Sequence, residues 1–366
     1  MKILSVCRGA PGLGRIVPSV GLCQTMARIH GAEVTFASYS AGYAYLAATG
    51  REVIDLGRPD GLFIDSVAPQ AIRVLEAAEA LQPDLILIDG EFFLTATVAH
   101  LPASVAYLAN PHDLEGPANT FRRVNRLLFA HADAVIISSL SCTRPRSAEL
   151  VPGTSCLMVP PIIKEFPPWC ESGSRKILIS LGGGSVRADP AFRLATDRAL
   201  TAALDGASDL IRTGLANAVT VVLGADSTLP ARQAEWLTVA DRPVELTSLY
   251  GDYDMFVTRA GRNAAAEALY CGIPTVLLPV TADQHRGSEQ ASNAAVASAA
   301  ASHIFSVPNW DNPGAMLRAF TSALATSGQT YGTGVRGNES SAQFLAAIVS
   351  GVNHPDTRFP ELAERS

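Results

Sequence analysis

Ten continuous apolar runs of strand length recur along the chain, each followed by a small-residue loop and then by a stretch with helical spacing. They are KILSV (2–6), EVTFAS (33–38), DLILID (84–89), SVAYLA (104–109), DAVIIS (133–138), KILISL (176–181), VTVVLG (219–224), DMFVT (254–258), TVLLPV (275–280) and HIFSV (303–307). Unbroken apolar runs, as opposed to alternating ones, mark strands covered on both faces. Alternation with helical stretches such as VPSVGLCQTMARIHG (17–31) makes this an α/β protein with parallel sheets. At 366 residues the chain exceeds one ordinary core, which predicts two domains. The pattern restarts: MKILSV leads into GAPGLGR, and RKILISL leads into GGGSVR, as in two doubly wound units. Between them VPPIIKEFPPWCESGSR (159–175) is rich in Pro and poor in periodicity, which predicts a boundary near 165–172 and domains over 1–165 and 172–366. Two final helical stretches, MLRAFTSALA (316–325) and SAQFLAAIVSGV (341–352), have the reach to pack back on the first domain.

Composition excludes several classes. With 48% hydrophobic and 17% charged residues the chain reads as globular, not disordered or fibrous. A net charge of -6 argues against a general nucleic-acid binder, which needs surplus cations to displace counterions. A small polyphosphate remains open to it, since one or two cations and some backbone N–H groups suffice. Six cysteines without a C-x-x-C pair or a Cys/His cluster indicate neither a zinc site nor a disulfide framework. The opening strand is too short for a signal peptide and no run of about 18 apolar residues follows, so a cytoplasmic enzyme is expected.

Ligands of an open parallel sheet sit beyond the carboxyl ends of its strands, and that rule selects four loops. GAPGLGR (9–15) carries Gly12, Gly14 and Arg15; it is either a tight turn or a close backbone approach to a ligand. GGGSV (182–186) offers Gly183, Gly184 and Ser185 to a phosphate, or simply turns the chain. Arg259-Ala260-Gly261-Arg262-Asn263 makes the turn into a helix from about 262 to 271, stopped by Gly272 and Pro274. Glu267 lies one to two turns inside it, with Ala264, Ala265, Ala266 and Ala268 leaving room for another surface; the readings are a carboxylate facing a ligand hydroxyl or a solvated surface Glu. VTADQHRGSEQASNAAV (280–296) crowds Asp283, Gln284, His285, Arg286, Glu289, Gln290 and Asn293 together, a helix start or a set of partners for sugar hydroxyls.

RAGRNAAAEALYCGIPTVLLPV followed by HRGSEQASNAAV resembles the donor-binding half of inverting GT-B nucleotide-sugar glycosyltransferases, and among them the family of the lipid II-forming N-acetylglucosaminyltransferase of peptidoglycan synthesis. LISLGGGS, GLGR-x-x-P-S-x-G-L-C and LILIDGEFF are similar to the same family; residues 176–307 are covered well and the first domain only weakly. The resemblance implies a GT-B fold of two Rossmann-like domains across a cleft, with an N-terminal acceptor domain and a C-terminal donor domain. It implies a nucleoside diphosphate sugar donor, UDP being the expected nucleotide, and a small-molecule or lipid-linked acceptor. Glu267 would then take the ribose hydroxyls. Gly183, Gly184, Ser185, Arg259 and Gly261 would hold the diphosphate, with the neighbouring Arg262 and Asn263 also on the donor side. Backbone at Leu246 and Thr247 would follow the base, and Glu289, Gln290 and Asn293 the sugar. No metal and no cofactor are implied, because a helix N-terminus and a cation can stabilise the departing diphosphate.

Two positions depart from that family, which often has His where this chain has Arg15 and Ser or Thr where it has Ala264. A guanidinium cannot serve as a general base, so the base comes from elsewhere in the first domain, while the resemblance puts Gly12, Gly14 and Arg15 on the acceptor side. Asp89 and Glu91 in LILIDGEFF and His112 in NPHDLEG are the candidates by position, while Asp89 as the cap of the following helix is the competing reading. A hydrolase of the same fold and an inactive nucleotide-sugar-binding accessory protein are the alternatives to transfer. NTFRRVNRLLFAHADAV (119–135) sets Arg122, Arg123 and Arg126 beside apolar residues, as a helix with a basic outer face or as a peripheral membrane contact.

Overall fold

The computed structural model describes residues 1–10, 12–57, 63–111, 113, 127–148, 154–167, 169–182, 190–224, 234–240, 244–280, 284–326 and 336–351. Each of the ten apolar runs contains a strand. The first sheet is built from β1 (Lys2–Cys7), β2 (Glu33–Ser38), β3 (Val53–Asp55), β4 (Leu85–Asp89), β5 (Ser104–Ala109), β6 (Ala134–Ser138), β7 (Arg146–Ser147) and β8 (Ser155–Val159). Their order is β3-β2-β1-β4-β5-β6-β8-β7, parallel throughout except for β7 against β8. The second sheet is built from β9 (Lys176–Ser180), β10 (Ala218–Val222), β11 (Leu237–Ala240), β12 (Met255–Arg259), β13 (Thr275–Leu278) and β14 (Ile304–Ser306), in the order β11-β10-β9-β12-β13-β14. Both sheets run outward in opposite directions from a central pair, β1/β4 and β9/β12, the doubly wound arrangement with a crevice at the point of reversal.

Helices cover both faces of each sheet. α1 (Ile16–His30), α2 (Ser40–Ala48), α3 (Phe63–Leu81) and α4 (Phe92–Val98) serve the first. α5 (Pro190–Arg212), α6 (Arg262–Cys271), α7 (Gln284–Ala300) and α8 (Pro313–Ala325) serve the second. Double coverage is why β4 and β6 are buried at every position and why their sequences do not alternate. The strands that no apolar run announces are explained by position. β3, β7 and β11 are short edges, exposed or partly so, and β8 lies immediately ahead of the Pro-rich stretch.

That stretch is packed. Ile162, Ile163, Lys164 and Trp169 are all buried, Trp169 in one cluster with Tyr250 and Phe256 of the second sheet unit. Of the two final helices, α8 stays on α5, whereas α9 (Asn338–Val349) crosses to the first unit and packs on α1, β5, β6 and β8. Asn338 anchors the crossing. Its buried amide donates to the carbonyls of Gly21 (3.1 Å) and Ile163 (2.8 Å) and to Thr25 Oγ1 (3.2 Å), and accepts from the Ile163 N–H (3.2 Å). The contact needs a glycine at position 21, where a Cβ would stand 2.5 Å from the Ile163 carbonyl carbon.

Asn338→Ala removes the donor to the buried Ile163 carbonyl and the acceptor of the Ile163 N–H, while the Gly21 carbonyl keeps the Thr25 hydroxyl, so it should destabilise the first unit by about 1–3 kcal/mol. Denaturant unfolding checks this, and an unchanged midpoint would show that α9 is held by apolar packing alone.

Candidate active site

The carboxyl ends of β1 and β4 carry the loops picked out by GAPGLGR and LILIDGEFF. Gly9 is demanded sterically, since a Cβ there would run into the Tyr39 carbonyl oxygen. Gly14 has open space around it, and its carbonyl accepts from Asn263 Nδ2 of the second unit at 3.1 Å. Gly12 stands half-buried in the same turn. Arg15 is 8% exposed and directed inward. Its Nη1 donates to Asp89 Oδ1 (3.1 Å) and Asp113 Oδ2 (2.8 Å), its Nη2 to Asp113 Oδ1 (2.6 Å). The Ser19 hydroxyl donates to the second oxygen of Asp89 (3.1 Å), and the Asn110 N–H to Asp113 (2.9 Å).

Burial pushes the Asp89 carboxyl up to about 6, with Arg15 and Arg262 opposing. For Asp113 burial acts the same way, but the bidentate Arg15 outweighs it and holds the carboxyl below its usual range. The helix-cap reading of Asp89 is corrected here: α4 begins after Glu91, no side chain caps it, and both Asp89 oxygens are taken by Arg15 and Ser19. Glu91 is differently placed. It is buried, accepts from the Tyr39 hydroxyl at 2.7 Å through Oε1, and burial raises its pKa against the pull of Tyr39 and Arg8. His112 lies outside the described residues. Asp113, its neighbour, was not among the sequence candidates; its only signal was its place just past an apolar strand.

Across the crevice, β12 ends at Arg259 and α6 starts at Arg262 behind Gly261, with no side chain capping its free N–H groups. α6 stops at Cys271 with Gly272 at φ 87°, as the Gly-x-Pro signal predicts. The Arg259 guanidinium lies against Gly182, whose φ is 118° and where a Cβ would collide with Nη2. Gly183, Gly184 and Ser185 lie outside the described residues. Arg262 is half-buried, its Nη1 enclosed without a hydrogen-bond partner. Burial and Arg15 depress its pKa, against Asp89 and Asp113.

Glu267 is 4% exposed, so it is not a solvated surface residue. Its Oε2 accepts from the Tyr250 hydroxyl at 3.0 Å, while Oε1 is buried with no hydrogen-bond donor and lies 3.9 Å from Lys164 Nζ. Burial raises its pKa, with Lys164 and Tyr250 opposing. The surface for which the surrounding alanines leave room is a neighbouring helix. Ala265 and Ala268 are buried in the cluster that holds Ala294 and Ala297 of α7; of the four, Ala264 alone is half-exposed.

Three parts of the chain meet beside Glu267. Lys164 Nζ donates to the Tyr45 hydroxyl of α2 (3.0 Å) and to Glu245 Oε1, and Tyr45 donates to Glu245 Oε2 (2.7 Å). Burial works against the charge on Lys164, but Glu267, Tyr45 and Glu245 together hold its pKa above the usual lysine value. Leu246 and Thr247 form a 3-10 turn next to this cluster, the Thr247 hydroxyl donating to Glu245 at 3.0 Å. Tyr45, Lys164, Glu245 and Tyr250 escaped the sequence reading because only the fold brings them together. Glu289 is half-buried. Gln290 accepts from the Val280 N–H (3.0 Å), and Asn293 donates to the Ala260 carbonyl (3.1 Å), so both brace the strand-end loops. Residues 281–283, with Asp283, and the side chains of Gln284, His285 and Arg286 lie outside the description. So do residues 119–126, and with them Arg122, Arg123 and Arg126. No helix among the described residues is long and apolar enough to cross a membrane.

Residues 179–306 match the family described as Glycosyltransferase family 28 C-terminal domain. Over 241 residues the chain is 26% identical to a UDP-N-acetylglucosamine--N-acetylmuramyl-(pentapeptide) pyrophosphoryl-undecaprenol N-acetylglucosamine transferase of Prochlorococcus marinus (strain MIT 9303). The match covers 63% of this chain and 59% of that protein, so the chain spans about three fifths of the length of this relative. In structure it is similar to the glycosyltransferase SnogD from Streptomyces nogalater, with a TM-score of 0.56 at 17% identity over 95% of this chain and 99% of the other. It is also similar to the spinosyn rhamnosyltransferase SpnG complexed with thymidine diphosphate, with a TM-score of 0.57 at 18% identity over 96% of each chain. The fold is GT-B, two doubly wound units facing across a crevice.

Arg15→Met leaves Asp89 and Asp113 buried without their cation. Removing one partner of a buried ion pair costs about 3–5 kcal/mol, so a thermal melt should show a loss of this order. A melt indistinguishable from that of the original chain would mean that water reaches the two carboxylates.

Proposed function

We propose that the chain is an inverting glycosyltransferase that moves a sugar from a pyrimidine nucleoside diphosphate to an acceptor hydroxyl, without a metal ion, in the cytoplasm. The observation that carries the reading is Glu267 Oε1, a buried acceptor without a hydrogen-bond donor, one to two turns inside the helix whose uncapped N-terminus stands beside Arg259 and Arg262. A ribose hydroxyl supplies the hydrogen-bond donor that this oxygen lacks beside Lys164 Nζ at 3.9 Å, and a buried acceptor without a donor costs about 1–3 kcal/mol. The α6 N-terminus and the guanidinium groups of Arg259, which lies against Gly182, and Arg262 offer a diphosphate N–H donors and positive charge. The nucleotide is UDP or thymidine diphosphate: the curated relative is a UDP-N-acetylglucosamine transferase, and SpnG holds thymidine diphosphate. Neither Gln290 nor Asn293 is needed as a sugar contact in this reading, since both serve backbone groups.

The base is Glu91. Asp89 has both oxygens engaged and is 1% exposed, which makes it the holder of Arg15. Glu91 removes the proton of the acceptor hydroxyl, and that oxygen bonds to the anomeric carbon from the face opposite the diphosphate. The bond from the anomeric carbon to phosphate oxygen breaks with its electron pair going to the nucleoside diphosphate, whose charge is met by Arg259, Arg262 and the helix N-terminus.

Glu267→Gln should weaken UDP or thymidine diphosphate binding by roughly tenfold or more in calorimetry with the circular dichroism unchanged; equal affinity would remove the ribose assignment. Glu91→Gln should lower kcat about 10²–10⁴-fold while nucleotide affinity stays the same. A base must be deprotonated to act, and burial raises the Glu91 pKa, so the acid limb of kcat/KM should lie above the usual carboxylate range and vanish in Glu91→Gln. Incubation with excess EDTA should leave turnover intact, and donor consumption without any acceptor would point to a hydrolase.

A further inference from the structure

We infer that the acceptor is a monoanion, a hydroxyl compound bearing a carboxylate near the hydroxyl that is glycosylated, and that Arg8 recognises that carboxylate. The inference rests on the reading of Glu91 as the base. Arg8 directly follows β1 and Glu91 stands two residues past β4, on neighbouring strands whose register sets Cys7 beside Asp89. The Arg8 N–H donates to the Asp89 carbonyl at 2.9 Å, which fixes where its side chain leaves the sheet. That side chain lies over Gly90, the residue between Asp89 and Glu91. A Cβ on Gly90 would stand 2.8 Å from Arg8 Cβ and 3.2 Å from Arg8 Nε, and the φ of 87° at Gly90 also suits glycine.

The two cations of this face differ in how they are satisfied. Arg15 is neutralised by two carboxylates. Arg8 is half-buried and its Nε is enclosed with no hydrogen-bond partner. Glu91 senses its charge, yet the two form no ion pair; Glu91 Oε1 accepts from Tyr39. Among the described residues the Arg8 guanidinium has no carboxylate partner, and an anion arriving with the substrate at its Nη groups, which are not enclosed like Nε, supplies one. Beside Glu91 a single negative charge is matched by one guanidinium, whereas a doubly charged phosphate would leave net repulsion next to a base that must ionise. The planar fork of Arg suits a carboxylate.

The test titrates the full chain, in the presence of UDP or thymidine diphosphate, with the ortho, meta and para hydroxybenzoates and with their methyl esters. At least one acid should bind roughly tenfold or more tightly than its ester, and Arg8→Gln should abolish that preference. Equal binding of acid and ester, no binding of any acid, or a preference that survives in Arg8→Gln overturns the proposal. Inorganic phosphate competing better than every acid overturns the carboxylate assignment. The acid and ester comparison in the unaltered chain stands even if the variant does not fold. Nucleotide binding is read separately: its absence in the unaltered chain would sink the donor reading, while the acid and ester comparison bears on Arg8.

Discussion

A parallel sheet covered by helices on both faces has no free face to offer a ligand, so binding is confined to the space beyond the carboxyl ends of its strands. Here two such sheets present those ends to each other at β1/β4 and β9/β12. Residues of the candidate site gather there: Arg8, Arg15, Asp89 and Glu91 on one side, Gly182, Arg259, Arg262 and Glu267 on the other. The Asn263 to Gly14 hydrogen bond joins the two sides at the same level.

Charges buried at that junction are held by partners on different elements. Arg15 binds the ends of two strands together through Asp89 and Asp113. Lys164, in the segment between the sheets, ties Tyr45 of the first unit to Glu245 of the second and lies beside Glu267. Such groups are expensive to desolvate singly and tolerable only as satisfied sets. Among the described residues, the buried side-chain atoms without a hydrogen-bond partner include Arg8 Nε just past β1 and Arg262 Nη1 and Glu267 Oε1 on α6.

Much of this was legible in the residues. The apolar runs located the central strands, because a strand buried on both faces must be apolar throughout, and the Arg-x-Gly-Arg-Asn turn with its Gly-x-Pro stop delimited α6. Glu267 stood out because an acid amid alanines has no local partner. The edge strands β3 and β11 were illegible, since a half-exposed strand of three or four residues carries too few side chains to form a pattern. Which surface approaches the alanines of α6 was illegible, because sequence reports small size without saying what packs against it; that surface is α7.

The sequence by itself determined the architecture and the loops where chemistry is possible, because strand burial, helix stops and glycine turns are written in consecutive residues. Only the tertiary structure decided how the charges pair. Arg15 and Asp113 are separated by 98 positions and Lys164 and Glu245 by 81, and whether a carboxylate is a proton acceptor or the counter-ion of an arginine depends on which distant side chain folding brings against it. That is why Asp89 and Glu91, two residues apart on one strand end, have different surroundings: one faces Arg15 and Ser19, the other Tyr39.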